Sequence, residues 1–371
     1  MSNTSSVNER LARLTALGTS IWLDQIERKL VEGGELARLV QEDSLRGMTS
    51  NPAIFEKAIL GSDEYDDQIQ QLVSESADAR TIYQAVAIRD VQSAADVLRT
   101  VYDETDGYDG YVSLEVDPDL AFDTDKTIEQ AREYWGRVDR PNLMIKIPGT
   151  DEGLPAIEQA LYEGININVT LLFKVEQYER VIEAFLAGLE RRVDEGKPVD
   201  GIHSVASFFV SRVDTEVDKR LENMSPPGPT ELLGTAGVAN ARAAYQSYLR
   251  VFKGDRFNKL REAGAPVQRP LWASTGVKNP NYKDTMYVDE LAGPETVNTM
   301  PVATLDAARD HSEATEPRVT IDPSDDLKAL ADAGIDMGDV TDKLLKDGVD
   351  AFVTPMEKLL DGIDSKRKAI A

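Results

Sequence analysis

One lysine interrupts an otherwise apolar segment of the chain. The heptapeptide LMIKIPG at residues 143–149 has the composition of a short buried strand that ends in a turn, and Lys146 lies inside it. A lysine ammonium group is rarely buried unless it is paired or has lost its proton. Two interpretations follow. The lysine lies on an edge strand and reaches solvent or a carboxylate, or it is a buried amine whose charged form is disfavoured and which can attack a carbonyl carbon.

Polar side chains also occur at the carboxyl ends of six other predicted strands. These residues are Asp24, Asn51, Glu115, Asn168, Thr170, Ser207, Ser274 and Thr275. Any one of them alone is more often a helix cap or a turn residue. Several of them, however, lie inside apolar runs and not directly before a helix. We therefore expect the set to converge with Lys146 on one cavity.

The residue types in this set favour one kind of chemistry. An amine, two carboxylates, two amides and several hydroxyls suit Schiff-base catalysis on a polyhydroxy carbonyl compound. Lys146 would add to the ketone, one carboxylate would shuttle protons during dehydration to the imine, and another would take a proton from the hydroxyl next to the cleaved bond. A neighbouring carboxylate favours the charged lysine whereas burial disfavours it, so the sequence leaves its protonation state open.

Two segments could bind an anion. SFFVSR at residues 207–212 runs from a strand end into a helix, so backbone N–H groups and the Arg212 guanidinium could hold a phosphate. STGVK at residues 274–278 adds hydroxyls, a glycine and the cation of Lys278 on the next loop. A capped helix followed by an ordinary turn is the alternative interpretation.

The composition limits the classes of function. Of 371 residues, 41% are hydrophobic and 29% are charged, which is typical of a globular protein with a sizeable core. The absence of cysteine and the presence of only two histidines exclude disulfides, cysteine nucleophiles and a histidine-rich metal centre. A net charge of −25 disfavours nucleic acids and anionic membranes as partners. No apolar run is long enough to span a membrane and residues 1–8 are polar, so we expect a cytoplasmic protein.

Strands and helices alternate along the chain. Eight short strands are predicted near residues 20–24, 47–51, 111–116, 142–148, 165–170, 201–207, 269–275 and 296–300. Each is followed by at least one helical segment, so we predict an α/β protein with the (β/α)8 fold of a TIM barrel. The competing doubly wound sheet lacks support because neither glycine-rich nucleotide-binding motif is present. We expect a single domain over residues 1–371, with an N-terminal helix in 1–19 and a helical tail over 301–371 packed on the barrel. The apolar stripe at 340–360 is expected to cover the barrel, and a dimer contact is the alternative.

Five sequence motifs resemble those of the transaldolases. They are GMTSNP at 47–52, VSLEVD at 112–117, IKIPGT at 145–150, INVTLLF within 165–173 and SFFVSR at 207–212, and the resemblance extends from about residue 20 to about residue 300. It implies transfer of a dihydroxyacetone unit from sedoheptulose 7-phosphate to glyceraldehyde 3-phosphate, giving erythrose 4-phosphate and fructose 6-phosphate. It also implies phosphorylated ketose and aldose substrates, and neither a metal nor an organic cofactor.

The same resemblance assigns expected roles to individual residues. Lys146 resembles the Schiff-base lysine, Glu115 the carboxylate that acts through a water held with Thr170, and Asp24 the acid–base group for carbon–carbon cleavage. Asn51 and Asn168 are expected to hold the donor hydroxyls and Ser207 and Arg212 to bind phosphate. The expected substrate-binding residues also include Ser274 and Lys278. Many transaldolases carry Ser-x-Arg after the seventh strand, where this chain has STGVK, so Lys278 is the candidate for the second phosphate cation.

Several alternatives are left open by the sequence. A Schiff-base aldolase of the fructose-6-phosphate aldolase type would release dihydroxyacetone to water, and a barrel that only binds sugar phosphates would perform no catalysis. The chain resembles the longer bacterial transaldolases. Both a monomer and a homodimer are compatible with it.

Overall fold

Eight parallel strands form a closed barrel in the computed structural model, which describes residues 7–370. Each strand pairs with its neighbours in chain order, and the first pairs with the last. The strands are Thr19–Asp24 (β1), Leu45–Thr49 (β2), Tyr111–Glu115 (β3), Leu143–Pro148 (β4), Ile167–Leu172 (β5), Ser204–Phe209 (β6), Gln268–Ala273 (β7) and Thr296–Met300 (β8). The predicted (β/α)8 barrel is confirmed. Residues 1–6 and 371, part of the predicted single domain, lie outside the described residues.

Helices surround the barrel, and the described part of the chain has more of them than the eight of a basic (β/α)8 fold. In residues 7–370 the α-helices are Glu9–Ala16 (α1), Arg28–Glu32 (α2), Glu35–Glu42 (α3), Pro52–Leu60 (α4), Asp66–Ser74 (α5), Ala79–Glu104 (α6), Thr124–Val138 (α7), Gly153–Glu163 (α8), Val175–Asp194 (α9), Ser211–Glu222 (α10), Ala236–Phe252 (α11), Asp255–Glu262 (α12), Met286–Glu290 (α13), Val302–His311 (α14), Ser324–Asp332 (α15) and Met337–Ile370 (α16). None of the helices in the described part of the chain is long and apolar enough to cross a membrane.

The strands are buried on both faces, as expected for a parallel sheet covered by helices. Side chains two positions apart point to the same face of a strand. Met144 and Val205 belong to an apolar cluster with residues from the other strands, and the polar Lys146 and Ser207 follow them at that spacing. The site residues therefore lie in the layer above a packed apolar layer of the barrel interior.

The amino-terminal end of the barrel is closed by a buried ion pair. Arg269 lies 2.9 Å from Asp109, and its guanidinium also donates a hydrogen bond of 2.7 Å to Ser20 Oγ. Asp109 accepts further hydrogen bonds from Ser20 Oγ and Trp22 Nε1. A buried charge is stable when paired in this way. These groups link β7 to β1 and to the segment before β3 at the amino-terminal end of the barrel, away from the carboxyl ends of the strands.

The last helix, α16, crosses the carboxyl end of the barrel. Gly348 allows close approach, because a Cβ atom there would come within 3.2 Å of Leu171 and 3.3 Å of Phe173. Further along, Gly362 lies against Leu60 of α4. The predicted covering of the barrel by the apolar stripe at 340–360 is thus observed, and the helix continues through Pro355 to a length of 34 residues.

Candidate active site

A cavity of about 470 Å³ opens at the carboxyl ends of the strands. Eight of the ten predicted site residues line it: Asp24, Asn51, Lys146, Thr170, Ser207, Arg212, Ser274 and Lys278. The other two, Glu115 and Asn168, are buried beside these residues. Because parallel strands of a barrel present their carboxyl ends to one face, side chains from seven strands meet here.

Lys146 lies in the middle of β4 with only 4% of its surface exposed. Its Nζ donates a hydrogen bond of 3.0 Å to the Ser50 carbonyl oxygen and lies 3.1 Å from Glu115 Oε2. The register of the barrel places Glu115 directly beside Lys146 on β3, and Asn168 on its other side on β5. A closed ring has no edge strand, so the edge-strand interpretation is wrong, although its carboxylate partner is present.

Glu115 is adapted to transfer protons near neutral pH. Burial raises the pKa of its carboxyl group to about 7, an effect that Lys146 opposes and the negative charge of Asp24 reinforces. Apart from the ion pair with Lys146, neither carboxylate oxygen has a hydrogen-bond partner among residues 7–370. A buried polar atom without a partner is uncommon and typical of a functional site.

Asp24 is held at the end of β1 by hydroxyl groups from two other strands. Thr49 Oγ1 donates a hydrogen bond of 2.7 Å to Asp24 Oδ1, and Thr49 Oγ1 lies 2.6 Å from Thr299 Oγ1. Burial raises the pKa of the Asp24 carboxyl above its ordinary value, and the positive charge of Lys146 is the main opposing influence. Asp24 is therefore fixed in position, and its burial disfavours the charged carboxylate.

The backbone is irregular directly after Thr170. Leu171 has a φ of 60°, a left-handed conformation that costs a leucine on the order of 1–3 kcal/mol. The pairing of β5 with β6 shifts at the same place. Gln177 stabilises the segment, because its Oε1 accepts a hydrogen bond of 3.3 Å from the Phe173 N–H and its Nε2 donates to the Leu171 carbonyl oxygen at 3.5 Å. The hydroxyl of Thr170 is buried, lines the cavity and has no partner within the described residues, so it can bind a ligand.

The two amides occupy different environments. Asn51 caps α4, with its Oδ1 accepting a hydrogen bond of 3.0 Å from the Ile54 N–H, and it also lines the cavity. Asn168 is fully buried and does not line the cavity. Its Nδ2 donates to Ser113 Oγ at 2.9 Å, and its Oδ1 accepts from Ser207 Oγ at 2.7 Å. In this arrangement Asn168 orients Ser207, which does face the cavity.

The cationic end of the cavity is formed by the segments after β6 and β7. Arg212 forms no ion pair within 4 Å in the described part of the chain, and its guanidinium lies 5.3 Å from the centre of the Phe209 ring. Burial lowers the pKa of Arg212. Ser211 Oγ lies 2.9 Å from Ser274 Oγ, which joins the two segments, and Lys278 extends from the exposed rim.

The backbone at the start of α10 offers fewer anion-binding groups than expected. The N–H groups of Val210 and Ser211 donate to the carbonyl oxygens of Ala273 and Ser274, at 3.0 and 3.1 Å. The N–H of Val213 donates to the Val210 carbonyl oxygen. Because these three donors are occupied, an anion at this end of the cavity would depend mainly on side chains such as the Arg212 guanidinium.

Several residues that line the cavity were not identified from the sequence. Four of them are Thr49, Lys57, Thr299 and Phe352. Thr49 of β2 and Thr299 of β8 fit the ordinary alternation of a strand, so nothing in the sequence distinguishes their hydroxyls from those of other strand residues. Lys57 lies one turn into α4, on an exposed position with no special pattern. Phe352 belongs to the tail helix, whose apolar stripe predicted a cover for the barrel but not which residue reaches the cavity.

Thr275, which belonged to the predicted set, does not face the cavity. It is fully buried, and its Oγ1 donates to Asn298 Oδ1 at 2.8 Å. No group of three or more histidine, aspartate or glutamate side chains in residues 7–370 is arranged to hold a metal ion.

The sequence was compared with known proteins. The family described as Transaldolase/Fructose-6-phosphate aldolase matches residues 21–363. A protein named Transaldolase from Thermobifida fusca is 51% identical over 356 residues, covering 95% of this chain and 97% of its own length. The Transaldolases of Saccharopolyspora erythraea and Mycolicibacterium smegmatis are each 49% identical, over 96% and 98% of this chain and 98% of their own lengths. The chain therefore belongs to the transaldolase/fructose-6-phosphate aldolase family.

Proposed function

We propose that the protein transfers a dihydroxyacetone unit from sedoheptulose 7-phosphate to glyceraldehyde 3-phosphate, giving erythrose 4-phosphate and fructose 6-phosphate. The observation that carries the proposal is the buried Lys146, held between the Ser50 carbonyl oxygen and the Glu115 carboxylate in a cavity lined by an acid, hydroxyls and cations. Relatives named Transaldolase share about half of its sequence, which supports the same activity.

In the first half of the reaction, the neutral amine of Lys146 attacks the ketone carbon of the donor sugar. Glu115, 3.1 Å away, moves the proton from nitrogen to the oxygen that leaves as water, which yields the imine. Thr170 contributes a hydroxyl next to this proton transfer. A carboxyl group whose pKa is raised to about 7 serves as base and as acid in succession.

Asp24 acts in the carbon–carbon bond cleavage. It takes the proton from the hydroxyl on the carbon beyond the bond that breaks, the aldose departs with its new carbonyl group, and the electron pair of the broken bond forms the enamine. The acceptor aldehyde then reacts with the enamine carbon, and Asp24 returns the proton to the new hydroxyl. The hydrogen bond from Thr49 fixes the carboxylate for both steps.

The substrate phosphate would lie at the cationic end of the cavity. Arg212 and Lys278 provide the charge, and Ser274 is joined to the same region through Ser211. Asn51 and Ser207 would bind donor hydroxyls, and Asn168 keeps the Ser207 hydroxyl in place. A local cluster of this kind is needed because the chain as a whole carries a charge of −25.

We further propose that residues 1–371 form one functional domain that acts in the cytoplasm, in the non-oxidative pentose phosphate pathway. The helical tail belongs to this domain because Phe352 lines the catalytic cavity. Both a monomer and a homodimer fit this proposal, because all proposed site residues come from one chain.

Reduction of the imine tests the proposal. With fructose 6-phosphate and borohydride, the protein should gain the mass of a reduced adduct on Lys146, and Lys146→Ala should gain none. Lys57→Ala is the matched control, because Lys57 is an exposed lysine of the same cavity, and its adduct should persist. A barrel that only binds sugar phosphates would show no adduct in any variant.

The free aldolase remains the second candidate, because it would use the same lysine. Turnover of fructose 6-phosphate with and without erythrose 4-phosphate separates the two activities. The proposed transferase requires the acceptor, and equally fast cleavage without it would show that the enzyme is an aldolase.

A further inference from the structure

Phe352 is the residue of the tail helix that reaches the catalytic amine. Its ring centre lies 5.4 Å from Lys146 Nζ, within the range of a cation–π contact. Only 5% of its surface is exposed, and it lines the cavity together with Lys146 and Thr170. The lysine therefore faces Glu115 and a carbonyl oxygen on one side and an apolar ring on another.

The Phe352 ring extends a buried apolar cluster to the wall of a cavity whose other lining residues are mostly polar. Phe352 belongs to a buried cluster with Leu171, Phe173, Phe209 and Val349. Leu171 is also the residue with left-handed backbone next to Thr170. The irregular end of β5 and the tail helix thus pack against each other, and Phe352 brings an apolar surface from this packing to the cavity that Lys146 also lines.

Ion pairs fix α16 on both sides of the cavity. Before Phe352, Asp339 pairs with Arg220 at 2.6 Å and Asp342 pairs with Lys174 at 3.0 Å. After it, Lys366 pairs with Asp66 at 2.6 Å. Exposed pairs contribute little individually to stability, but together with the close packing at Gly348 they fix where the helix crosses the barrel. The ring is accordingly a fixed part of the cavity wall.

We propose that Phe352 is a positioning and specificity-determining residue that directs the enamine toward an aldose acceptor and away from water. This inference rests on the proposed function. The enamine has two fates. Its nucleophilic carbon forms a bond to the aldehyde carbon of the acceptor, whose oxygen takes a proton. Alternatively, that carbon takes a proton, water adds to the resulting iminium carbon, and the carbon–nitrogen bond breaks to release dihydroxyacetone and the free amine of Lys146.

Phe352 acts on these two fates in different ways. Both fates end with water adding to an iminium carbon, which frees the Lys146 amine, so they are separated by the earlier step in which the enamine carbon takes either a proton or the aldehyde carbon. The enamine carbon is two bonds from Nζ, so the apolar ring 5.4 Å from Nζ lowers the access of water to it. Less water near that carbon slows its protonation, whereas the aldehyde of a bound acceptor can still react there.

Variants at this position test the inference. The measured quantity is the ratio of dihydroxyacetone released from fructose 6-phosphate without acceptor to the product formed with erythrose 4-phosphate. Phe352→Ala should raise this ratio by about tenfold, which corresponds to about 1.4 kcal/mol. Phe352→Leu keeps most of the apolar volume without the ring face, should raise the ratio by a smaller factor, and provides the test if the alanine variant does not fold.

Leu359→Ala is the matched control, because Leu359 is a fully buried apolar residue of the same helix that does not line the cavity. It should lower the melting temperature to a similar extent and leave the ratio unchanged. Borohydride adducts are measured on every variant. An adduct on Phe352→Ala with a wild-type ratio would overturn the inference and leave the proposed function intact. Wild-type protein without an adduct would overturn both.

Discussion

Replacing Glu115 by glutamine removes a charge and a transferable proton while keeping the size of the side chain. Glu115 is 4% exposed and lies 3.1 Å from Lys146 Nζ, so the substitution acts directly on the Lys146 amine. The Ser50 carbonyl oxygen remains as the other partner of that amine. The variant therefore separates the proton-transfer role of Glu115 from its contribution to the shape of the site.

This geometry predicts two effects of the substitution, one on the rate of imine formation and one on the stability of the fold. Loss of a positioned proton-transfer group lowers a rate by roughly 10²–10⁴-fold, so we expect formation of the Lys146 imine to slow by about a thousandfold. Loss of one partner of a buried ion pair destabilises a protein by about 3–5 kcal/mol if the other remains charged. Asp24 also attracts the charge on Lys146, so the lower end of that range is expected.

The pH dependence gives a third prediction for the same variant. With Glu115 and Lys146 both protonated the amine cannot attack, so the wild-type rate of imine formation should rise as pH increases through the raised pKa of Glu115, near 7. This rise should be absent from Glu115→Gln, since glutamine does not ionise.

The assay is the rate at which the borohydride-trapped adduct accumulates, combined with a thermal melt. Asp117→Asn is the control, because Asp117 is a fully buried carboxylate two residues away that pairs with Arg80 and accepts a hydrogen bond from Tyr134. It should lose stability but form the adduct at the wild-type rate. A Glu115→Gln enzyme with a wild-type rate and an unchanged rise near neutral pH would refute the role given to Glu115.

Two further predictions concern the phosphate end and the support beneath it. Arg212→Ala should raise KM for phosphorylated acceptors by about 10–100-fold, because a charge-assisted hydrogen bond contributes about 1.5–3 kcal/mol. The KM for unphosphorylated glyceraldehyde should not change. Equal increases in KM for both acceptors would contradict the assignment of Arg212 to the phosphate. Burial raises the pKa of Asp214 to about 6, so its ionisation opposes folding above that pH and the penalty disappears as pH falls toward the ordinary value of 3.8. Asp214→Asn should therefore be more favourable, relative to wild type, at about pH 8 than at about pH 5, by about 1.4 kcal/mol in the free energy of unfolding. Parallel pH dependences would refute this.

The barrel and the centre of the site were predictable from the sequence. A lysine inside an apolar strand has few explanations, and the polar residues of the other strands occur at the same strand end. Since a closed parallel barrel brings these ends together, correct strand positions were sufficient to place Lys146 beside Glu115 and to bring Asp24 to the same cavity. The small errors in strand boundaries did not affect the placement of these three residues, whereas Thr275 of the predicted set does not face the cavity.

Other features depend on packing that the sequence pattern does not encode. The helical segment after β1 is divided into α2 and α3 at Gly33 and Gly34, where Gly34 has a φ of 84°. The left-handed Leu171 is stabilised by contacts with distant residues, and no local signal predicts it. Phe352 is 206 positions from Lys146 in the chain, so only the course of the tail helix brings them together.

The arrangement that fixes Asp24 has a consequence for folding. Its carboxylate is held by a hydroxyl from β2, which contacts a hydroxyl from β8 that is 250 residues further along the chain. Bringing such distant segments together is entropically slow, and until then the first and last strands expose unpaired edges to other chains. The hydroxyl support of Asp24 is therefore complete only once β1 has paired with β8, whereas the pairing of Lys146 on β4 with Glu115 on β3 does not depend on that closure.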